Sequence, residues 1–199
     1  MSSISLAPSR PVLADRVLPR SLAVDAALVV GGAALTAALA QVYVPMWPVP
    51  ITGQTLAVLL VGASLGALRG GLSMVLYALV GALGAPVYSE GQGGLATLLG
   101  PTGGYIVGFV LAAALTGWLA QRRFDRTLVR GMLAFIAGSA VVFAIGLPWL
   151  HLALGLSWPE TLQGGLYPFI IGGLIKAAIA ALVLRGAWRL VDRADRRRV

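Results

Sequence analysis

The 199-residue chain has no cysteine, one histidine, one lysine and only seven carboxylates. Without cysteine, disulfides, thiolate metal sites and cysteine nucleophiles are excluded. His151 has no carboxylate near it in sequence, His-Glu-x-x-His is missing, and no apolar stretch carries paired carboxylates. No acid–base set for catalysis emerges, and the chain is not read as an enzyme or as holding a metal or cofactor. A Gly-Lys pair is also missing. The phosphate-cradling loop of ATPases needs one, so the chain is not read as hydrolysing ATP itself. Charge is scarce: 11% of residues are Asp, Glu, Lys or Arg, against about 25% in soluble domains.

Apolar residues take the place of charge, at 58% of the chain and a mean hydropathy of +0.89. The composition is that of an integral membrane protein, and the 26 glycines suit close packing of membrane helices. We read an all-α protein with six transmembrane helices in one compact bundle. Residues 1–20 are polar, with three prolines and three arginines, and read as a flexible cytoplasmic arm. The spans follow at about Ser21–Val44, Thr52–Leu68, Leu72–Ala85, Gly103–Ala120, Gly131–His151 and Gly165–Ala187. The membrane domain occupies residues 21–190, and residues 191–199 form a basic cytoplasmic tail. Breaks are set by the proline-rich segment Pro45 to Pro50, by Arg69-Gly70-Gly71 and by Pro86. The second and third spans are short against the ~20 residues a perpendicular crossing needs.

Six spans place both termini on one side, and the arginines test that arrangement. With the N-terminus inside, fourteen of the fifteen basic residues, all arginine, fall in cytoplasmic segments; the outer loops hold Glu90 and Glu160 but no basic residue. This is the positive-inside distribution of a multi-pass protein of a bacterial-type cell membrane. It also accounts for the net charge of +8 without a nucleic-acid partner. All five tryptophans fall near span ends, where an aromatic belt belongs. Ala38-Leu39-Ala40 resembles a leader cleavage site, but the apolar stretch before it is long for a signal peptide, and cleavage would spoil the charge pattern.

The fifteenth basic residue is Lys176, near the middle of the sixth span. An ammonium there costs about 2.5–3.5 kcal/mol on insertion scales. The nearest face is about ten residues away, ~15 Å of helix, too far for the side chain to reach water. Asp25, Asp125, Asp192 and Asp195 lie at or beyond cytoplasmic span ends, and Glu90 and Glu160 in outer loops. Lys176 could satisfy itself on backbone carbonyls, or it could pair with a carboxylate on a bound ligand. Intramembrane ionisable residues favour the second reading.

Two further segments offer polar groups. The outer loop Tyr88 to Tyr105 is rich in glycine, and its Gly93-Gly94 pair frees backbone groups for a ligand. Glu90, Gln92 and Thr102 lie in the same loop. At the start of the second span, Thr52 suits a helix cap, whereas a buried Gln54 amide needs partners. In the first span, Ala33/Ala37 and Ala34/Ala38 each stand four apart, a spacing that lets helices approach closely, within the bundle or from a partner.

Three stretches carry a family likeness: Pro48-Val49-Pro50-Ile51-Thr52-Gly53-Gln54-Thr55-Leu56, Gly93-Gly94-Leu95 through Gly100-Pro101-Thr102-Gly103-Gly104-Tyr105, and Pro168-Phe169 with Leu174-Ile175-Lys176. Together they resemble the BioY family, the biotin-specific substrate-binding components of energy-coupling-factor (ECF) transporters. The resemblance implies a six-helix S component that captures biotin from outside. It implies transport with a membrane coupling (T) component and two ATPase subunits, ATP being used only by those partners. The first helix's small-residue face, Ala33, Ala34, Ala37 and Ala38, would be the docking surface. Lys176, Gln54, Tyr88, Glu90, Gln92, Gly93, Gly94, Thr102 and Tyr105 would form the biotin site. The family usually reads Asp-Leu-Ile-Lys where this chain has Gly173-Leu174-Ile175-Lys176. Either Glu90 or Gln92 substitutes, or affinity is lower, or the ligand is a relative of biotin. A self-sufficient permease for biotin or a similar small carboxylate is the alternative, and self-association into a homo-oligomer stays open.

Overall fold

The structure, a computed structural model, describes residues 11–196. Residues 1–10 of the expected arm, and Arg197 and Arg198 of the tail, lie outside the described residues. The chain runs α1 (Leu13–Val17), α2 (Leu22–Ala40), β1 (Tyr43–Val44), β2 (Ile51–Thr52), α3 (Gln54–Leu65), α4 (Ala67–Ala82), α5 (Leu95–Leu99), α6 (Gly103–Gln121), α7 (Leu128–Leu154), α8 (Trp158–Gly165) and α9 (Tyr167–Arg196). Single 3-10 turns occur at Ser89–Gly91 and Phe124–Arg126. Four stretches are long and apolar enough to cross a membrane: α2, α6, α7, and α8 taken with α9. With 12 and 16 residues, α3 and α4 reach only about 18 and 24 Å at the helical rise.

Glycine sets how closely the helices approach. A Cβ on Gly62 of α3 would lie 2.4 Å from the Ala113 carbonyl oxygen of α6, and one on Gly117 of α6 would lie 2.4 Å from the Ala67 nitrogen of α4. Backbone therefore meets backbone where α3 and α4 cross α6, and α6 packs on its other side against α7. Gly62→Ala is expected to lower stability by about 1–3 kcal/mol, because carbonyl and helix cannot both yield. Gly186→Ala on α9, where a Cβ meets nothing within 4 Å, is expected to raise it by about 0.5–1 kcal/mol through backbone entropy. Thermal unfolding in detergent should return the two opposite signs.

The same packing moves the second helix break. Arg69-Gly70-Gly71 does not end a helix: the turn is at Gly66 (φ 88°), and α4 runs through all three residues. Gly70 is there for space, since its Cβ would stand 2.8 Å from the Gly62 Cα. The first long helix stops at Ala40 rather than Val44, because Tyr43 and Val44 pair antiparallel with Thr52 and Ile51. At the other end α9 continues to Arg196, so the basic tail is helical through residue 196.

The arm is corrected as well. Residues 12–17 are folded onto the bundle: Val12 is fully buried, and Asp15 of α1 bonds the guanidinium of Arg69 at 3.0 Å. Arg69 also meets Asp25 of α2 at 2.8 Å. A residue expected in a cytoplasmic turn is thus a buried ion-pair centre. Trp188 leaves the expected aromatic belt too: it is buried and donates its indole N–H to Asp125.

Candidate binding site

A cavity opens among α3, α6, α7 and α9, with β2 and the Ser89 turn closing one side. The space between them, open mouth included, is about 540 Å³, most of it at the mouth rather than enclosed. One wall is apolar: Ile106 and Phe109 of α6, Val142 and Phe143 of α7, and Phe169 of α9. Tyr105, Phe143 and Phe169 stack edge-to-face in series, with centroids 6.2 and 6.0 Å apart.

The opposite wall is a chain of hydrogen bonds that begins at Lys176. Its Nζ donates to the Thr52 carbonyl oxygen at 2.5 Å and to Thr55 Oγ1 at 3.2 Å. Thr52 Oγ1 donates to Gln54 Oε1 at 2.6 Å, Gln54 Nε2 donates to the Tyr77 hydroxyl at 2.6 Å, and Tyr77 donates to the Val87 carbonyl at 3.1 Å. The buried Gln54 amide therefore has partners on both ends. Among the described residues, no ion pair includes Lys176. Its acceptors are neutral, so its charge is offset by dipoles alone.

Of the residues singled out in the sequence, the cavity brings together Lys176, Gln54, Tyr88, Thr102 and Tyr105. Glu90 and Gln92 line a second, wetter vestibule that shares Pro50, Ser89 and Thr102 with the first. Gly93 and Gly94 are not among the residues that line either cavity. A Cβ on Gly93 would meet the Ala85 carbonyl oxygen at 2.3 Å, and Gly94 (φ 93°) donates its N–H to the Gly81 carbonyl at 2.7 Å. Both glycines are needed to build the loop as it stands. Gln41 pins that loop through the Tyr88 carbonyl and the Gly91 N–H.

Tyr88 and Tyr105 present ring surface more than hydroxyl. Tyr88 donates to the Ala78 carbonyl at 2.6 Å and Tyr105 to the Gly165 carbonyl at 3.0 Å. Burial pushes the Tyr88 phenol up from its ordinary pKa, which keeps it a donor. Gly81 and Gly146 make room for the two rings: a Cβ on either would fall within 2.6 Å of ring carbon. Sequence reasoning missed Phe109, Val142 and Phe143, because an apolar residue in an apolar helix carries no signal of which way it faces.

The alanine stripe divides. Ala33 is buried in the core and Ala37 is half-buried beside it, while Ala34 and Ala38 are exposed. His151, at the end of α7, stacks flat on Trp158 with centroids 4.5 Å apart and does not line the cavity.

Comparison with known proteins gives this arrangement a setting. The chain is 39% identical over 145 residues to the biotin transporter BioY of Rhizobium etli, covering 69% of this chain and 77% of that one. It is 39% identical over 168 residues to the biotin transporter BioY of Rhodobacter capsulatus, covering 77% and 87%. The probable biotin transporter BioY of Pyrococcus horikoshii is 39% identical over 150 residues, covering 75% and 87%. The fold matches the crystal structure of the S-component for biotin from an ECF-type ABC transporter with a TM-score of 0.74, over 84% of this chain and 92% of that chain at 24% identity. The description of the BioY family matches residues 12–193, so nearly the whole bundle, cavity included, falls within it, and the chain belongs to the BioY family.

Proposed function

We propose that this protein is the biotin-capturing membrane subunit of an ECF-type uptake system, energised by a separate coupling component and two ATPases. The names of its relatives support transport of biotin. The observation that carries the reading is Lys176, an ammonium lining a cavity with one apolar and one polar, uncharged wall and bonded, among the described residues, to neutral acceptors. Biotin complements that cavity: its aliphatic tail suits the Phe109–Phe143–Phe169 wall, its carboxylate supplies the missing counter-charge, and its ureido ring both donates and accepts. Gly173, one turn before Lys176, adds no competing carboxylate. Glu90 and Gln92 stand at the vestibule, where the ligand enters. The protein itself carries out no chemistry and needs no cofactor in this role.

Calorimetry on purified protein tests the assignment. Biotin should bind in a saturable, stoichiometric way and thiamine, a cation, should not; well-folded protein that fails to bind biotin would defeat the reading. Uptake by vesicles containing this protein alone would replace the ECF subunit with a self-sufficient permease.

The chain crosses the membrane six times in this reading, by α2, α3, α4, α6, α7 and α9, with both termini cytoplasmic. The segregation of its arginines supports that orientation. The coupling component docks on the exposed half of the alanine stripe, Ala34 and Ala38. Ala34→Phe is expected to weaken assembly with the coupling module about tenfold or more, the scale of a blocked central contact, and to leave biotin binding intact. Ala33→Phe, directed into the core, should instead destabilise the protein. Co-purification from membranes, paired with calorimetry, separates the two.

A further inference from the structure

The polar wall of the cavity has a direction, and its far end sets it. Gln54, 6% exposed at the start of α3, lines the cavity; Tyr77 of α4, 1% exposed, stands behind it and is not among the lining residues. The Tyr77 hydroxyl has one proton, which it gives to the Val87 carbonyl at 3.1 Å. A carbonyl can only accept, so toward Gln54 the Tyr77 oxygen has only lone pairs to offer. The group that meets it at 2.6 Å is therefore the Gln54 NH2, and Oε1 turns to the Thr52 hydroxyl, also at 2.6 Å. Turned the other way, the amide would set its oxygen against the Tyr77 oxygen or take the proton from Val87. Thr52 does not decide between the two. Its hydroxyl can donate or accept, and beyond the Gln54 backbone N–H at 3.3 Å it has a second lone pair, so it serves either orientation.

A purely structural Tyr77 would need only Val87, to tie α4 to the connection that follows it. Yet the shorter of its two bonds is the one to Gln54. Its ring is also held edge-on by Tyr88, with centroids 5.5 Å apart, so the hydroxyl has little freedom to leave. With one N–H spent on Tyr77 and one lone pair on Thr52, the Gln54 amide keeps one N–H and one lone pair in hand at the cavity wall. On the biotin assignment above, we propose that Tyr77 is a positioning residue for ligand capture: it does not touch the ligand but locks Gln54, so that the remaining donor and acceptor meet the ligand in one fixed order. A ureido group, which both donates and accepts, binds more tightly to an amide that cannot turn, because the orientation is settled before binding.

Biotin calorimetry on the full chain tests this with the parent, Tyr77→Phe, Gln54→Met and the double variant, each shown to be folded by cooperative unfolding in detergent. Tyr77→Phe should bind biotin about two- to tenfold more weakly, the span of one hydrogen bond's net worth. Gln54→Met should lose more. Added to Gln54→Met, Tyr77→Phe should cost nothing further, because the group through which it acts is gone. A merely structural bond would cost the same in both backgrounds. Thr52→Val removes the partner that fits either orientation, so it should keep most of the affinity that Gln54→Met loses; this comparison holds whether or not Tyr77→Phe remains folded. Equal affinities of the parent and Tyr77→Phe, additive losses in the double variant, or a Thr52→Val loss as large as that of Gln54→Met would each overturn the positioning role and leave biotin as the ligand. A folded parent that fails to bind biotin would overturn both.

Discussion

Lys176→Met should bind biotin about 10²- to 10³-fold more weakly, and yet be no less stable than the parent when empty. Methionine approximates the length of the lysine stem, so the shape of the cavity wall changes little. What disappears is the ammonium. In the empty protein that group is held by the Thr52 carbonyl and Thr55 Oγ1 alone. Hydrogen bonds to a charged group return about 1.5–3 kcal/mol each at best, against an effective burial penalty of several kcal/mol for an unpaired ion. For a half-buried ammonium the two nearly balance, so removing the charge should leave the empty protein as stable as the parent or up to about 1 kcal/mol more so. With ligand bound the balance shifts. The biotin carboxylate would lie in an apolar cavity without a counter-ion, and truncating one member of such a pair costs about 2–5 kcal/mol of affinity. Biotin methyl ester supplies the control: it should bind the parent poorly, and Lys176→Met should discriminate little between ester and acid. Calorimetry gives the affinities and detergent unfolding gives the stabilities. Equal biotin affinities in parent and variant would remove Lys176 from the site, and discrimination that persists in the variant would move the carboxylate elsewhere.

That opposition of stability and function is why Lys176 was legible from the sequence. A bilayer tolerates few ionisable residues, so the sole lysine within an apolar run announces itself. The helices were legible for a related reason: apolar runs must be long and arginines must segregate, and both patterns survive in the linear chain. Other features left no such trace. At Arg69-Gly70-Gly71, glycine reads equally as a turn or as a packing surface, and only the nearness of Gly62 decides for packing. Tyr43 and Val44 extend the apolar run of α2 but are drawn into a two-residue ribbon by Ile51 and Thr52, which lie beyond a proline segment. The Phe143–Phe169 contact joins residues on α7 and α9 whose partnership depends on helix rotation, which uniformly apolar sequences do not encode. Asp15 was passed over because a polar, proline-containing stretch does not reveal that it returns to the bundle.

Arg69→Met should destabilise the protein where Lys176→Met does not, although both replace a cation inside the bundle, Arg69 buried and Lys176 half-buried, with the same side chain. Arg69 is 2% exposed, bonded to Asp15 by both terminal nitrogens at 3.0 Å, and 2.8 Å from Asp25. Losing the guanidinium removes the shortest ion-pair contacts of both buried carboxylates and leaves Asp15 the longer one to Arg20 at 3.8 Å; breaking a buried pair in this way costs about 3–5 kcal/mol. The damage should spread through α1, since Asp15 ties that helix to α4 and Val12 is buried beside it. Asp15→Asn alone should cost less, because Arg69 keeps Asp25. In the double variant, Asp15→Asn should recover part of what Arg69→Met loses, and this non-additivity marks a direct interaction. Thermal unfolding of the three variants in one detergent measures the cycle. None of the three residues lines the cavity, so protein that remains folded should bind biotin as the parent does. An Arg69→Met variant as stable as the parent would show that the cluster contributes nothing to holding α1, α2 and α4 together. What sets the difference is the partner the protein itself provides: Arg69 has carboxylates from two helices, whereas among the described residues no carboxylate pairs with Lys176, and in the proposed reading its counter-charge arrives with the ligand.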